Sequence, residues 1–150
     1  MSGGREAFAV SFVLLGAMLA AGCAAPNPPD VGRPPGAGII EVTGLDMLRA
    51  QAVDAAGASC VFYALPWSDL CRRATPWYEA VAQQERARAQ FFYVDVARHP
   101  DVLRPLRVWH VPTFVVYRNG TEVGRVQDPR SAQDLAEGIA DALSRWPGER

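Results

Sequence analysis

Hydrophobic positions along the chain fall into three regimes. Ala7 to Ala21 is an apolar run, Ala24 to Ala37 holds five prolines and two glycines in fourteen residues, and short apolar runs alternate with polar segments from about residue 38 onward. The third regime has the periods of secondary structure. Ile39 to Val42 is β-prone, and Thr43 is placed to cap a segment in which Leu45, Leu48, Ala52 and Val53 recur at helical spacing. Cys60 to Leu65 reads as a strand buried on both faces. Ser68 then opens a helix with Cys71, Ala74, Tyr78 and Val81 on one side, and Pro76 inside it predicts a kink. Phe91 to Val96 reads as a second buried strand, followed by a short, proline-interrupted helical stretch from Asp101 to Leu106. Thr113–Arg118 and Glu122–Val126 flank Asn119-Gly120, a pair suited to the positive φ angles of a tight hairpin turn. Ser131 caps a last helix whose inner face is Leu135, Ile139, Ala142 and Leu143. The order β-α-β-α-β-α-β-β-α predicts an α/β fold, with a mixed sheet covered by helices on both faces.

Composition narrows the function classes. The net charge is −1 and nearly half of the residues are apolar, as in an ordinary globular domain. All fifteen basic residues are Arg, and they form no basic stripe of the kind that binds nucleic acid. The Cys and His spacings make no zinc motif, and no motif requires a cofactor.

The first 25 residues read as a targeting segment. Arg5 precedes an apolar run too short for a comfortable membrane span, and small residues follow at Ala20-Ala21-Gly22-Cys23. That stretch resembles a bacterial lipobox, which implies lipid attachment at Cys23, although Ala20 stands where the pattern has Leu. An ordinary secretory signal cut near Ala24 or Ala25, or an uncleaved anchor, are the alternatives. Export implies a disulfide-permissive compartment: the periplasmic face of a bacterial membrane for a lipid-anchored chain, the periplasm or medium for a cleaved one. Residues 24–37 favour polyproline II geometry and make a tether of up to roughly 40 Å, or a leader with no spacing role. The boundaries expected are 1–23 for the signal, 24–37 for the tether, 38–145 for the domain and 146–150 for a tail.

The residues from Phe62 to Arg72, Phe-Tyr-Ala-Leu-Pro-Trp-Ser-Asp-Leu-Cys-Arg, resemble the active-site segment of the thioredoxin family, in which a strand runs into Trp-Cys-x-x-Cys at the start of a helix. Pro76 matches the family's helix-kinking proline, Tyr93-Val94-Asp95-Val96 its third strand, Val111-Pro112-Thr113 its Ile/Val-Pro-Thr, and Asn119-Gly120 its terminal hairpin. The resemblance covers about residues 38 to 145 and implies a three-layer thioredoxin-like sandwich, a cis bond before Pro112, and a groove that pairs an extended peptide beside the sulfur. Trp67, Val111, Pro112 and Thr113 are its implied substrate-binding residues. His110, on the same loop, is placed either to stabilise a thiolate or substrate, or as a surface residue with no role. Trp109 extends the rim or packs, and Trp146 packs the end of the last helix.

Three departures bear on chemistry. The family's attacking cysteine falls at Ser68, which cannot form a disulfide and is itself a good helix N-cap. Its resolving cysteine falls at Cys71, which reads either as a monothiol that forms mixed disulfides or as a small buried apolar side chain. The family's buried acid beneath the cysteines falls at Phe62, which has no proton to exchange. Asp128 stands where the family has a glycine beside the groove, so the peptide surface is altered. Cys60 lies roughly 16 Å from the far end of its strand at about 3.3 Å per residue. A bridge to Cys71 needs Cα atoms within about 7 Å. Cys60 therefore reads as a core thiol. Three functions follow as expectations. One is an envelope protein acting on protein or peptide thiols and disulfides through Cys71 alone, of monothiol rather than dithiol type. Another is a redox-inactive module that keeps the groove to hold extended peptides or to organise a membrane-bound assembly. The last is a purely structural partner domain.

Overall fold

Side chains of the central strand divide by parity, and that division sets the layers. In β2 (Ala58–Ala64), Cys60, Phe62 and Ala64 face one side of the sheet while Val61 and Tyr63 face the other. The computed structural model of the chain describes Gly36 and residues 38–145. Its five strands are β1 (Ile39–Glu41), β2, β3 (Gln90–Asp95), β4 (Thr113–Arg118) and β5 (Thr121–Gln127), in the spatial order β1-β3-β2-β4-β5. β1 and β2 both run parallel to β3, and β4 and β5 run antiparallel to their neighbours. The helices α2 (Asp69–Glu85) and α3 (Ala132–Ser144) contribute Ala74, Tyr78, Leu135 and Ile139 to the core on the Phe62 side. On the Tyr63 side lie α1 (Leu45–Leu48) and the segment from Val102 to Val108, which supply Leu48, Val102, Leu106 and Val108. The result is the expected three-layer α/β sandwich around a mixed sheet.

Two local expectations need correcting. Thr43 does not cap the first helix. Gly44 holds the N-cap position with no side-chain cap, and α1 runs into a wide π turn at Arg49–Val53, closed by the Asp54 N–H on the Arg49 carbonyl at 2.8 Å. The third helix of the predicted order is only a 3-10 turn, Pro100–Val102. Pro105 explains the early stop, because it has no N–H to continue an i→i−4 ladder.

The strand ends carry their own fixings. Asn119 and Gly120 have φ of 48° and 82°, the geometry a two-residue hairpin requires. The Asn119 side chain accepts a hydrogen bond from the Gly57 N–H at 2.8 Å, which ties the hairpin tip to the start of β2. The Tyr78 hydroxyl lies 2.8 Å from the Cys60 carbonyl oxygen and 2.9 Å from that of Phe92, so α2 is pinned to β2 and β3 together. On β5 and α3 the pinning is steric. A Cβ at Gly124 would stand 2.3 Å from the Ala142 Cβ, and one at Gly138 would stand 2.5 Å from the Val126 Cγ2. The helix therefore rests almost directly on the strand.

Candidate active site

β2 ends at Ala64, and a turn of four residues delivers the chain to the first turn of α2. The Ser68 N–H bonds the Leu65 carbonyl at 3.0 Å, and Ser68 has extended backbone angles (φ −74°, ψ 126°), as an N-cap should. Its side-chain oxygen accepts from the Cys71 N–H at 3.4 Å. The cap predicted at Ser68 is thus present. Asp69, also in the first turn, contacts Arg72, whose guanidinium also reaches the Trp67 carbonyl. The Cys71 side chain therefore hangs from the positive end of α2, turned inward.

Inward means nearly enclosed: Cys71 is 2% exposed. Burial raises the thiol pKa above its ordinary value. The Leu65 backbone and the Ser68 hydroxyl pull it back down, and the Asp128 carboxylate adds to the rise. Beneath the helix, Phe62 is completely buried. Its ring stacks on Phe114 at 4.4 Å and meets Tyr78 and Tyr93 edge-on at 5.2 and 5.6 Å. No acid stands in that position, and four aromatic rings have closed the space. Tyr93, the register partner of Phe62 on β3, has its phenol held protonated by burial and by the nearby Asp95 carboxylate.

Cys60 and Cys71 are both free thiols, so no bridge joins them. Burial pushes the Cys60 thiol up to about 12. Both thiols have folded-state pKa values above those of the unfolded chain, so the folded state holds protons that the unfolded state releases. Stability from this source is full below about pH 8.5 and falls as pH rises beyond it. Urea midpoints should therefore drop steadily from pH 8 to pH 10.5, and less steeply in Cys60→Ala. A flat profile in the wild-type protein would contradict the enclosure of these thiols.

The opposite wall is the loop before β4. The Val111–Pro112 peptide is cis, and the Thr113 hydroxyl donates to the His110 carbonyl at 2.7 Å. The Asp128 N–H donates to the Pro112 carbonyl at 3.3 Å, which joins the end of β5 to this loop. Asp128 has φ of 45°, a left-handed conformation that glycine adopts freely and Asp tolerates better than most residues. Leu70, Arg73, Trp77, Pro112, Asp128 and Arg130 line a cleft of about 280 Å³ between α2 and these two loops. Leu70 on its α2 wall is 49% exposed, and Trp67, just before α2 and outside the lining, is 58% exposed. His110 is exposed and lines a different, open surface with Arg107, Trp109, Arg125 and Gln127. Of the residues singled out from sequence, Pro112 and Asp128 line this cleft; Trp67, Cys71, Val111 and Thr113 do not, and His110 and the 69%-exposed Trp109 line the other surface. Arg73 and Trp77 were not anticipated there. With Leu70 they follow an i, i+3, i+7 spacing along α2, which marks one helix face and was the available signal.

A family model described as thioredoxin matches residues 50–141. The chain belongs to the thioredoxin family. Among curated relatives, it is 27% identical to protein disulfide-isomerase A3 of Gallus gallus over 110 residues, 73% of this chain and 21% of that protein. It is 36% identical to a thioredoxin of Echinococcus granulosus over 67 residues, 45% of this chain and 61% of that one. The chain thus spans less than two thirds of the length of these relatives. Among solved structures, the thioredoxin of Malassezia sympodialis superposes with a TM-score of 0.65 at 18% identity, covering 73% of this chain and 95% of that one. That likeness is one of fold. The residues matched by the thioredoxin model include Ser68, Cys71 and the cis-proline loop. Residues 1–35, with Cys23, and residues 146–150, with Trp146, lie outside the described residues.

Proposed function

We propose that this is an exported thioredoxin-family protein of the bacterial cell envelope that acts on protein or peptide disulfides through Cys71 alone. One observation carries the reading: a cysteine in the first turn of α2, capped by Ser68, beside a cleft that ends on a cis-proline. In this reading Ser68 replaces the family's attacking cysteine and serves as cap and hydrogen-bond partner. The Cys71 thiolate attacks one sulfur of a partner disulfide, a Cys71–partner bond forms, and the other partner sulfur leaves as a thiolate. The Cys71 proton passes to solvent, and a second thiol later resolves the mixed disulfide. Trp67, Val111 and Pro112 form the peptide-facing side, while the buried Thr113 supports the loop through its bond to the His110 carbonyl and the His110 side chain faces the other surface. Cys23 carries the lipid, residues 24–37 are the tether, and residues 38–145 are the functional domain.

A second reading is favoured by one fact. Cys71 is nearly enclosed and its thiol is pushed up by burial, as suits a packing residue in a redox-inactive peptide-binding module. Mixed-disulfide trapping separates the two. Incubated with a disulfide-bearing peptide and run without reductant, the wild-type protein should show adducts that Cys71→Ala abolishes. Peptide retention without any Cys71-dependent adduct would establish the binding module instead. Metabolic labelling with a lipid precursor, lost in Cys23→Ala, tests the anchor; label retained by the variant would refute it.

A further inference from the structure

Leu70, Arg73 and Trp77 lie at i, i+3 and i+7 on α2, so a guanidinium stands between two apolar side chains on the face that walls the 280 Å³ cleft. Pro112, Asp128 and Arg130 line the cleft from the loops. The lining is thus apolar on both sides and sets two guanidiniums against one carboxylate. We propose that the cleft holds an extended segment of a partner protein in which an acidic residue adjoins an apolar one, and that Arg73 selects the acidic residue. The inference deepens the peptide-binding element shared by both readings above, and it requires no thiol chemistry.

Charge argues for this occupant first. Arg73 is exposed and forms no ion pair among the described residues, whereas its neighbour Arg72 is matched by Asp69. Arg130 has Asp134 as a partner, but the carboxylate is 4.0 Å away and the Arg130 side chain is 94% exposed. A pair that loose is worth little and exchanges readily for a better acceptor. Asp128 also forms no ion pair among the described residues, and its N–H bond to the Pro112 carbonyl holds it on the loop wall. An incoming carboxylate is therefore drawn to the α2 wall and repelled from the loop wall, which fixes how the segment lies. The apolar neighbour has Leu70 and Trp77 to cover. Trp77 packs against the buried core and keeps only part of its indole open, and Leu70 is 49% exposed. Volume points the same way. Pockets that enclose a whole small molecule run to about 300–1,000 Å³. At about 280 Å³ this cleft falls below that range and suits one or two side chains of a longer segment.

The test is calorimetric titration of the full chain with cysteine-free peptides that differ only in Glu or Lys on both sides of a central Leu. The Glu peptide should bind roughly tenfold more tightly than the Lys peptide at low salt, with the preference shrinking in high salt. Arg73→Gln should bring that ratio to within about threefold, the remainder being due to Arg130. Arg86→Gln removes an equal charge at the end of α2, outside the cleft, and should leave the ratio unchanged. Asp128→Asn tolerates the left-handed turn and should strengthen binding of the Glu peptide about threefold. A wild-type ratio near one or inverted, or a tenfold ratio that survives Arg73→Gln or falls equally in Arg86→Gln, overturns selection by Arg73 and leaves peptide binding standing. A Glu peptide bound no better by Asp128→Asn overturns the orientation by the loop wall. Binding of neither peptide overturns the inference and the peptide-binding element together, as does Arg73-dependent binding to phosphatidylglycerol vesicles in place of peptide. The Cys71 chemistry is judged separately by mixed-disulfide trapping.

Discussion

Phe62→Asp, which installs an acid at the position where the family carries one, is expected to leave little folded protein at pH 7. Phe62 is fully buried and is the hub of the aromatic cluster, in ring contact with Phe114, Tyr78 and Tyr93. Removing a buried aromatic of this size costs about 3–5 kcal/mol before any charge is considered. A carboxylate in the same space adds its own desolvation penalty, against a total stability of roughly 5–15 kcal/mol for a domain of this kind. The pH dependence has a definite sign. The folded-state pKa of the new acid is raised by burial, so the folded state binds the proton more tightly than the unfolded chain does. The charge penalty is therefore absent below about pH 4 and grows as pH rises past the unfolded value. Thermal melts at pH 3.5 and pH 7 should show the variant partly recovered at the lower pH. Phe62→Leu should lose only about 1–2 kcal/mol at either pH. A Phe62→Asp protein that melts at pH 7 within a few degrees of wild type would refute the packing described. The expected outcome also means that no single substitution here restores the family's acid: the rings around it would have to change as well.

The second large effect is expected at Gly124. An alanine there places its Cβ 2.3 Å from the Cβ of Ala142 and 3.3 Å from the Ala142 Cα. The second contact is with backbone, so α3 must move away from β5 to accept the methyl group. A cost of about 3 kcal/mol is expected, at the upper end of overpacking penalties. Gly138→Ala makes a similarly short contact, but its neighbour is the Val126 Cγ2, the end of a side chain that can rotate. The helical position also gains up to about 1 kcal/mol from replacing glycine by alanine. Its net cost should be about 1 kcal/mol. Urea unfolding of the two variants side by side checks the order, and equal midpoints would show that α3 is free to shift.

Much of this fold was legible because short-range chemistry and long-range packing agree. Asn119-Gly120 specifies its turn through φ angles, Ser68 and Ser131 cap helices with their own oxygens, and the alternation in β2 and β3 separates the two cores. Where a local signal competed with tertiary demand, the expectation failed. Thr43 offered a cap, but its hydroxyl turns to the Met47 sulfur, and the chain enters α1 through a glycine. The helical pattern of Asp101–Leu106 holds buried residues, Val102 and Leu106, at an i, i+4 spacing, yet Pro105 allows only isolated turns. At the site, the cis bond at Pro112 and the cap at Ser68 followed from motif residues alone. The surroundings of Phe62 did not, since they depend on rings contributed by β3, β4 and α2 at once. Nor did the lining of the cleft, because Arg73 and Trp77 share it with Asp128 only once the fold places the end of β5 across from α2.

The parallel run of β1, β2 and β3 has one further consequence. β2 points toward Cys71, so β1, parallel to the same neighbour, starts at the opposite pole, where the Gly36 N–H meets Glu79 well down α2. α3 starts four residues after Asp128 and runs away from the cleft, and Ser144 at its end meets Arg88 beyond the end of α2. Both ends of the described domain therefore emerge together, on the side remote from the sulfur. Such a unit can be spliced into a loop of a host protein, or fixed to a surface by either end, with the cleft still facing outward.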